Sequence, residues 1–266
     1  MRRTDTTDYY EVVQRAAETE ILPGLRTTVW GYNGTFPGPT IVSQRGRNTI
    51  VSHTNSLEVP VVVHLHGGRV PPEHDGFPTD FLLPIHGHAG HRSGGMTHTG
   101  STTVGTRTYE YPMDQPAGTL WYHDHRTDFT GPQVYRGLAG FHLVADDHEA
   151  TLGLPSGARD VPLMIVDRSF RADGQLDYPS LGPTLQTPGV TSEYASGSSA
   201  TSSSSTGCHG RSSRWRRCAT DRGCSTPRTP AGMPEPRPRP VGNRLAVPAD
   251  RSRCFPDARP GAGRRG

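Results

Sequence analysis

Lysine is missing from the 266 residues, so all 28 basic side chains are arginine. Lysine codons are A-rich, and this absence beside 32 glycines and 25 prolines points to a GC-rich gene rather than to any partner. Cysteine is nearly as scarce: the four present, Cys208, Cys218, Cys224 and Cys254, all lie in the last part of the chain. Residues 1–197 therefore hold no disulfide and no thiolate metal ligand. No stretch is apolar for long enough to span a bilayer as a helix, and Arg2-Arg3 is followed by polar residues instead of the apolar run of a secretion signal. A soluble, cytoplasmic product with no membrane partner is expected.

Acidic residues run short only toward the C-terminus. Residues 1–197 set 14 arginines against 21 acids, a formal charge of −7, whereas residues 198–266 set 14 arginines against four acids, a formal charge of +10. The net +3 thus joins two unlike segments. The basic one contains Trp215 and Phe255 but no repeated motif, so its charge supports weak, salt-dependent attraction and no specific nucleic-acid partner.

Helical periodicity is sparse as well. In its place stand short apolar segments punctuated by Gly and Pro: Thr27 to Ile41 with an Asn33-Gly34 turn, Arg47 to Asn55, Pro60 to His66, Tyr109 to Tyr111, Leu120 to His123 and Gly137 to Val144. That pattern argues an antiparallel β-sandwich. Two of these strands carry His-x-His pairs, His64-Leu65-His66 and His123-Asp124-His125. Side chains alternate faces along a strand, so each pair points one way and four imidazoles can converge. A single pair would be read as ordinary hydrogen-bonded histidines. Two pairs, each on an apolar strand, favour a metal centre, and neutral imidazole suits copper, zinc, iron or nickel. A two-zinc hydrolase competes less well, because such sites usually include a carboxylate and Asp124 alternates away from its neighbours.

Residues 1–24 read as an N-terminal lead-in and 25–150 as the first domain. Pro71 to Gly105 is a long loop whose histidines (His74, His86, His88, His91, His98) are expected to be solvated. Residues 151–197 read as a linker and the orphaned start of a second domain, with Val161 to Val166 an unpaired edge strand. Ser198 onward is a Ser/Arg/Pro-rich tail without apolar periodicity, expected to be disordered.

Taken together, Trp30-Gly31-Tyr32-Asn33-Gly34, Phe36-Pro37-Gly38-Pro39-Thr40-Ile41, His64-Leu65-His66-Gly67-Gly68, Asp75-Gly76-Phe77-Pro78, Trp121-Tyr122-His123-Asp124-His125 and Asp160-Val161-Pro162-Leu163 resemble the first domain of multicopper oxidases, in the bacterial spore-coat laccase and bilirubin-oxidase branch. The resemblance implies an all-β, cupredoxin-like Greek-key β-sandwich. It also implies copper as cofactor, with a small reducing substrate (a phenol, pigment or metal ion) and dioxygen as the electron acceptor. By resemblance His64 ligates a type-2 copper, and His66, His123 and His125 ligate a type-3 pair. Asp75 and Asp124 are carried over as catalytic candidates that support the ligands or supply protons, while Trp121 and Tyr122 are expected to brace the strand.

The departures are as informative. His209 is the only histidine after His148, and neither the His-Pro-x-His-Leu-His nor the His-Cys-His motif of the family's third domain occurs, so the type-1 site is absent. The run Ser198-Ser199-Ala200-Thr201-Ser202-Ser203-Ser204-Ser205-Thr206 can be written in codons that, with one base restored ahead of them, encode Val-Leu-Gly-Asp-Val-Ile-Leu-Val-Asn-Gly. Shifted serine codons yield apolar residues automatically; the Gly-Asp and Asn-Gly placements do not follow so simply. The tail accordingly reads as frameshifted, and the chain as a truncated oxidase fragment, catalytically inactive or a simple copper-binding module.

Overall fold

The computed structural model describes residues 1–86 and 100–179, together with the backbone of 202–205 and 246–248. The chain starts with β1 (Arg2–Arg3) and the long β2 (Thr7–Thr19), then β3 (Thr27–Tyr32), β4 (Gly38–Gln44), β5 (Asn48–Asn55) and β6 (Val63–His66). Next come β7 (Phe81–Leu83), β8 (Thr102–Val104), β9 (Thr106–Tyr111), β10 (Gly118–Asp124), the helix α1 (Thr130–Arg136), β11 (Ala139–Ala145), a short helix α2 (Asp147–Thr151) and β12 (Leu163–Arg168). Two further strands, β13 (Ser202–Ser205) and β14 (Ala246–Pro248), complete the described elements.

Two sheets face each other as a cupredoxin-like β-sandwich. One runs β1-β2-β5-β9 with β3 also on β2; the other runs β4-β11-β10-β6. Alternation explains why: β5 buries Thr49, Val51, His53 and Asn55 and turns the intervening residues outward. The core between the sheets is rich in tyrosine, with Tyr10, Tyr32, Tyr109, Tyr111 and Tyr122 packed around Val51, Leu65 and Leu138. Buried phenols need partners, and the hydroxyls of Tyr10 and Tyr122 donate to the carbonyls of Val42 and Pro39 at 2.7 and 2.6 Å. Asn33 and Gly34, with φ of 56° and 72°, make the tight turn their sequence announces.

Several expectations change. The sandwich is not purely antiparallel: β2 pairs with β5, and β11 with β4, in parallel. Alternation reports which face a residue takes but not the direction of its neighbour strand. Residues 7–19, expected to lie in a lead-in, form the strand that joins β3 to β5 in the first sheet. The stretch 71–105 is not all loop, since β7 pairs with β8 and Leu82 is fully buried. His86 there is exposed, whereas His88, His91 and His98 lie outside the described residues.

Strand β12 is paired on both sides, by β13 and β14. Its expected open edge is therefore occupied, and by backbone from the tail. Ladder hydrogen bonds need only main-chain groups, so the lack of apolar periodicity in the tail did not announce these two strands. The rest of the tail lies outside the described residues. Residues following β12 fold back on the first sheet: Thr27 Oγ1 donates to Gly174 O at 2.7 Å and Gln175 Nε2 to Arg26 O at 2.8 Å. Among the described residues no helix is long and apolar enough to cross a membrane.

Candidate metal centre

Strands β6 and β10 build the centre. They are antiparallel neighbours, with His64 directly opposite His123 and His66 directly opposite Trp121. Residues opposite one another share a face, so His64, His66, Trp121 and His123 all project from the outer side of the second sheet, while Val63, Leu65 and Tyr122 point into the core. Strand β10 ends at Asp124, and His125 follows it; the His125 N–H donates to Val62 O at 2.9 Å, which keeps it beside the cluster. The His64 ring centre lies 5.5 Å from that of His66, 5.4 Å from His123 and 5.0 Å from His125. All four histidines singled out in the sequence are thus brought together.

Hydrogen bonds set the imidazole tautomers. A backbone carbonyl can only accept, so His64 Nδ1 donates to Asp75 O at 2.5 Å and His123 Nδ1 donates to Asp124 O at 2.7 Å. Each ring then presents a bare Nε2 lone pair. His66 Nδ1 lies 3.3 Å from His123 Nε2. Burial pushes His123 down to about 4, against the opposing pull of its bond to the Asp124 carbonyl, and its histidine neighbours lower it further. His125 is lowered too, first by burial and then by His64. At neutral pH these rings are uncharged, the form that binds metal.

The two acidic candidates do different things. Asp75 meets His64 through its backbone carbonyl, and its half-exposed carboxylate lies 3.5 Å from the same nitrogen. Gly76 makes that approach feasible: a Cβ there would stand 2.0 Å from Val63 O, so only glycine lets the loop lie flat on β6. Asp124 is fully buried on the reverse face of β10, where its carboxylate accepts the N–H groups of Val62 at 2.9 Å and Arg126 at 3.1 Å. Burial outweighs those bonds and raises it to about 7. Its geometry is that of a tie between the two histidine strands.

Two contributors were not evident from the chain. Trp121, expected to brace its strand, stacks on His123 at 3.9 Å and on His66 at 5.3 Å. Its place opposite His66 follows from strand register, which sequence alternation does not supply. Gln133, buried on α1, donates to Pro60 O at 3.3 Å and accepts from Arg126 at 3.3 Å. The short helix around Pro132 carries no apolar period to reveal it.

The donor set fits a borderline-soft ion. His64, His66 and His123 offer ligand atoms that all lie within 4.8 Å of one another, and no carboxylate belongs to that group. Imidazoles alone, held by second bonds to carbonyls, suit copper better than the oxygen-rich sites of magnesium or calcium.

Comparison with known proteins points the same way. The family model described as multicopper oxidase matches residues 14–149, which include both histidine strands and the second half of β2. A laccase from Bacillus stratosphericus is 39% identical over 65% of this chain and 36% of its own length. A laccase from Bacillus subtilis is 36% identical over 68% of this chain and 39% of its own length. The crystal structure of a laccase from Pediococcus acidilactici superimposes with a TM-score of 0.55 at 36% identity, covering 66% of this chain and 35% of that one. The chain thus spans little more than a third of these relatives, over the part that holds its histidine strands, and by that match it belongs to the multicopper oxidase family.

Proposed function

We propose that this chain carries the first cupredoxin domain of a laccase-like copper oxidase and supplies four of the histidines around its oxygen-reducing coppers. The observation that carries this reading is the convergence of His64, His66 and His123 on one face, within the residues the family model matches. In the complete oxidase His64 serves the type-2 copper and His66, His123 and His125 the type-3 pair. Copper supplies the one-electron chemistry that couples a small reducing substrate to dioxygen. The protein's part is to keep His123 and His125 neutral through burial, aim the Nε2 atoms of His64 and His123 through bonds to the carbonyls of Asp75 and Asp124, and lock β6 to β10 through the buried Asp124. Asp75, half-exposed beside His64, is the group suited to pass protons to the centre.

By itself the 266-residue chain is a copper-binding module and not an oxidase. It holds four cluster histidines but no His-Cys-His motif. The copper-loaded chain is expected to lack both phenol oxidation and the near-ultraviolet absorption of a coupled copper pair; robust turnover of a phenol would sink this reading.

We further propose that the Ser/Arg/Pro-rich tail arises by a single-base frameshift near the Gly197 codon. The abrupt change from a charge of −7 to +10 and the confinement of all four cysteines to the tail support it. Sequencing the source DNA in all three frames tests it: an adjacent frame encoding His-Pro-x-His-Leu-His and His-Cys-His is expected, and its absence refutes the frameshift.

A further inference from the structure

We infer that Arg107 is a positioning residue for the metal centre: by clamping the loop 73–80 at both ends it holds the Asp75 carbonyl against His64 Nδ1. The inference rests on the copper reading above and deepens it, since it gives a residue of the first sheet the task of aiming a ligand on the second.

Arg107 lies near the start of β9, on the inward side with Tyr109 and Tyr111. Its side chain is only 12% exposed and that of Asp80 beside it 11%. Nη2 donates to the Glu73 carbonyl and to Asp80 Oδ2, each at 3.1 Å, and Nη1 donates to Ser101 Oγ at 2.8 Å. Asp80 Oδ1 in turn accepts from the Ser101 N–H at 2.7 Å and from its hydroxyl at 3.0 Å. One planar fork thus joins residues 73, 80 and 101. A lysine, with a single nitrogen on a flexible stem, cannot span the same three acceptors.

Asp75 sits between the two clamped ends. Glu73 is on the 3-10 turn Pro72–His74, and the Asp75 N–H donates to Pro72 O at 3.3 Å, so fixing that turn fixes the residue that meets His64. Past it the Asp80 N–H donates to Phe77 O at 2.8 Å. Apolar packing does not hold this loop, because its large apolar side chain, Phe77, is 53% exposed. Its polar bonds must do so, and the buried guanidinium makes two of them.

The test reads the ring tautomers of the metal-free full chain by nitrogen NMR at about pH 8, where histidines are neutral. His64 should be Nδ1–H in the native chain. Asp75→Ala removes the nearby carboxylate and keeps the carbonyl, so His64 should stay in that form. Adding Arg107→Lys to Asp75→Ala should convert at least about half of His64 to Nε2–H, while His123, held by the Asp124 carbonyl, stays unchanged. Ser101→Ala guards against a variant that does not fold: it is at an exposed position, removes one acceptor from the fork, and should shift His64 the same way but less. In the otherwise native chain Arg107→Lys should also weaken copper(II) binding about three- to tenfold. A native His64 in the Nε2–H form, an unchanged His64 in the variants that fold, or equal changes in His64 and His123 would overturn the clamp. Loss of the Nδ1–H form as expected, in a chain that binds no copper, would remove the copper reading and leave the clamp standing.

Discussion

Two groups of histidines in this molecule share a residue type and little else. His53 and His142 lie between the sheets; His64, His66, His123 and His125 gather on the outside of one of them. In the first group the imidazole is a polar core filler. His53 Nδ1 accepts from Gln14 Nε2 at 2.8 Å among the rings of Tyr32, Tyr109 and Tyr122, and His142 Nε2 shares a bond with Ser43 Oγ at 2.7 Å, which is linked to Thr49 at 2.8 Å. In the second group the Nδ1 hydrogens of His64 and His123 go to carbonyls, and the bare Nε2 of His123 faces His66 Nδ1 at 3.3 Å. The comparison teaches that burial by itself does not make a ligand: His53 and His142 are more buried than any cluster histidine, yet their bonds go to single core side chains, and among the described residues no second imidazole nitrogen faces them.

Acid should act most strongly on the core pair, with only His123, at about 4, approaching them from the second group. Burial lowers both His53 and His142 from 6.5 to about 3. Below pH 6.5 the unfolded chain binds protons that the folded core refuses, so stability is full above pH 6.5 and is lost as pH falls toward 3. Between pH 7 and 4.5 the two sites together should cost about 5 kcal/mol, at roughly 1.4 kcal/mol per unit and site. A proton NMR titration of the two rings in the metal-free chain would check this, and protonation of either ring near pH 6.5 would mean that it is not held neutral.

Removing a core imidazole comes next. His53→Ala leaves Gln14 without its partner and opens space among three tyrosines, at an expected cost of about 2–4 kcal/mol in denaturant unfolding. Asp124→Ala strips the acceptor from two backbone N–H groups and should cost about 1–3 kcal/mol, and should also weaken copper binding by letting β6 and β10 shift. The smallest effect is expected from His66→Ala, below about 0.5 kcal/mol in the metal-free chain, because the side chain is exposed. Equal destabilisation by His53→Ala and His66→Ala would erase the distinction between the groups.

Much of this was legible in the chain itself. Strand alternation and Gly/Pro punctuation gave an all-β sandwich, and the His-x-His spacing gave four convergent imidazoles, because a period of two is a property of the extended backbone. Parallel pairing of β2 with β5 was not legible, since direction depends on the crossover and not on the strand. Nor was the position of residues 7–19, whose buried face sets the polar Asp8 and Gln14 beside Tyr10 and Val12. Trp121 and Tyr122 looked alike as aromatic strand residues; one stacks on ligands and the other seals the core.

What the sequence determined by itself, then, is which residues can be ligands and which face of a strand each takes, because local geometry dictates alternation. Which of those ligands meet was decided only by the tertiary structure. The antiparallel register of β6 on β10 sets His64 against His123, Gly76 brings the Asp75 carbonyl to His64, and the bond from the His125 N–H to Val62 O holds His125 beside them. Register depends on contacts between residues distant in the chain, and no local pattern encodes it.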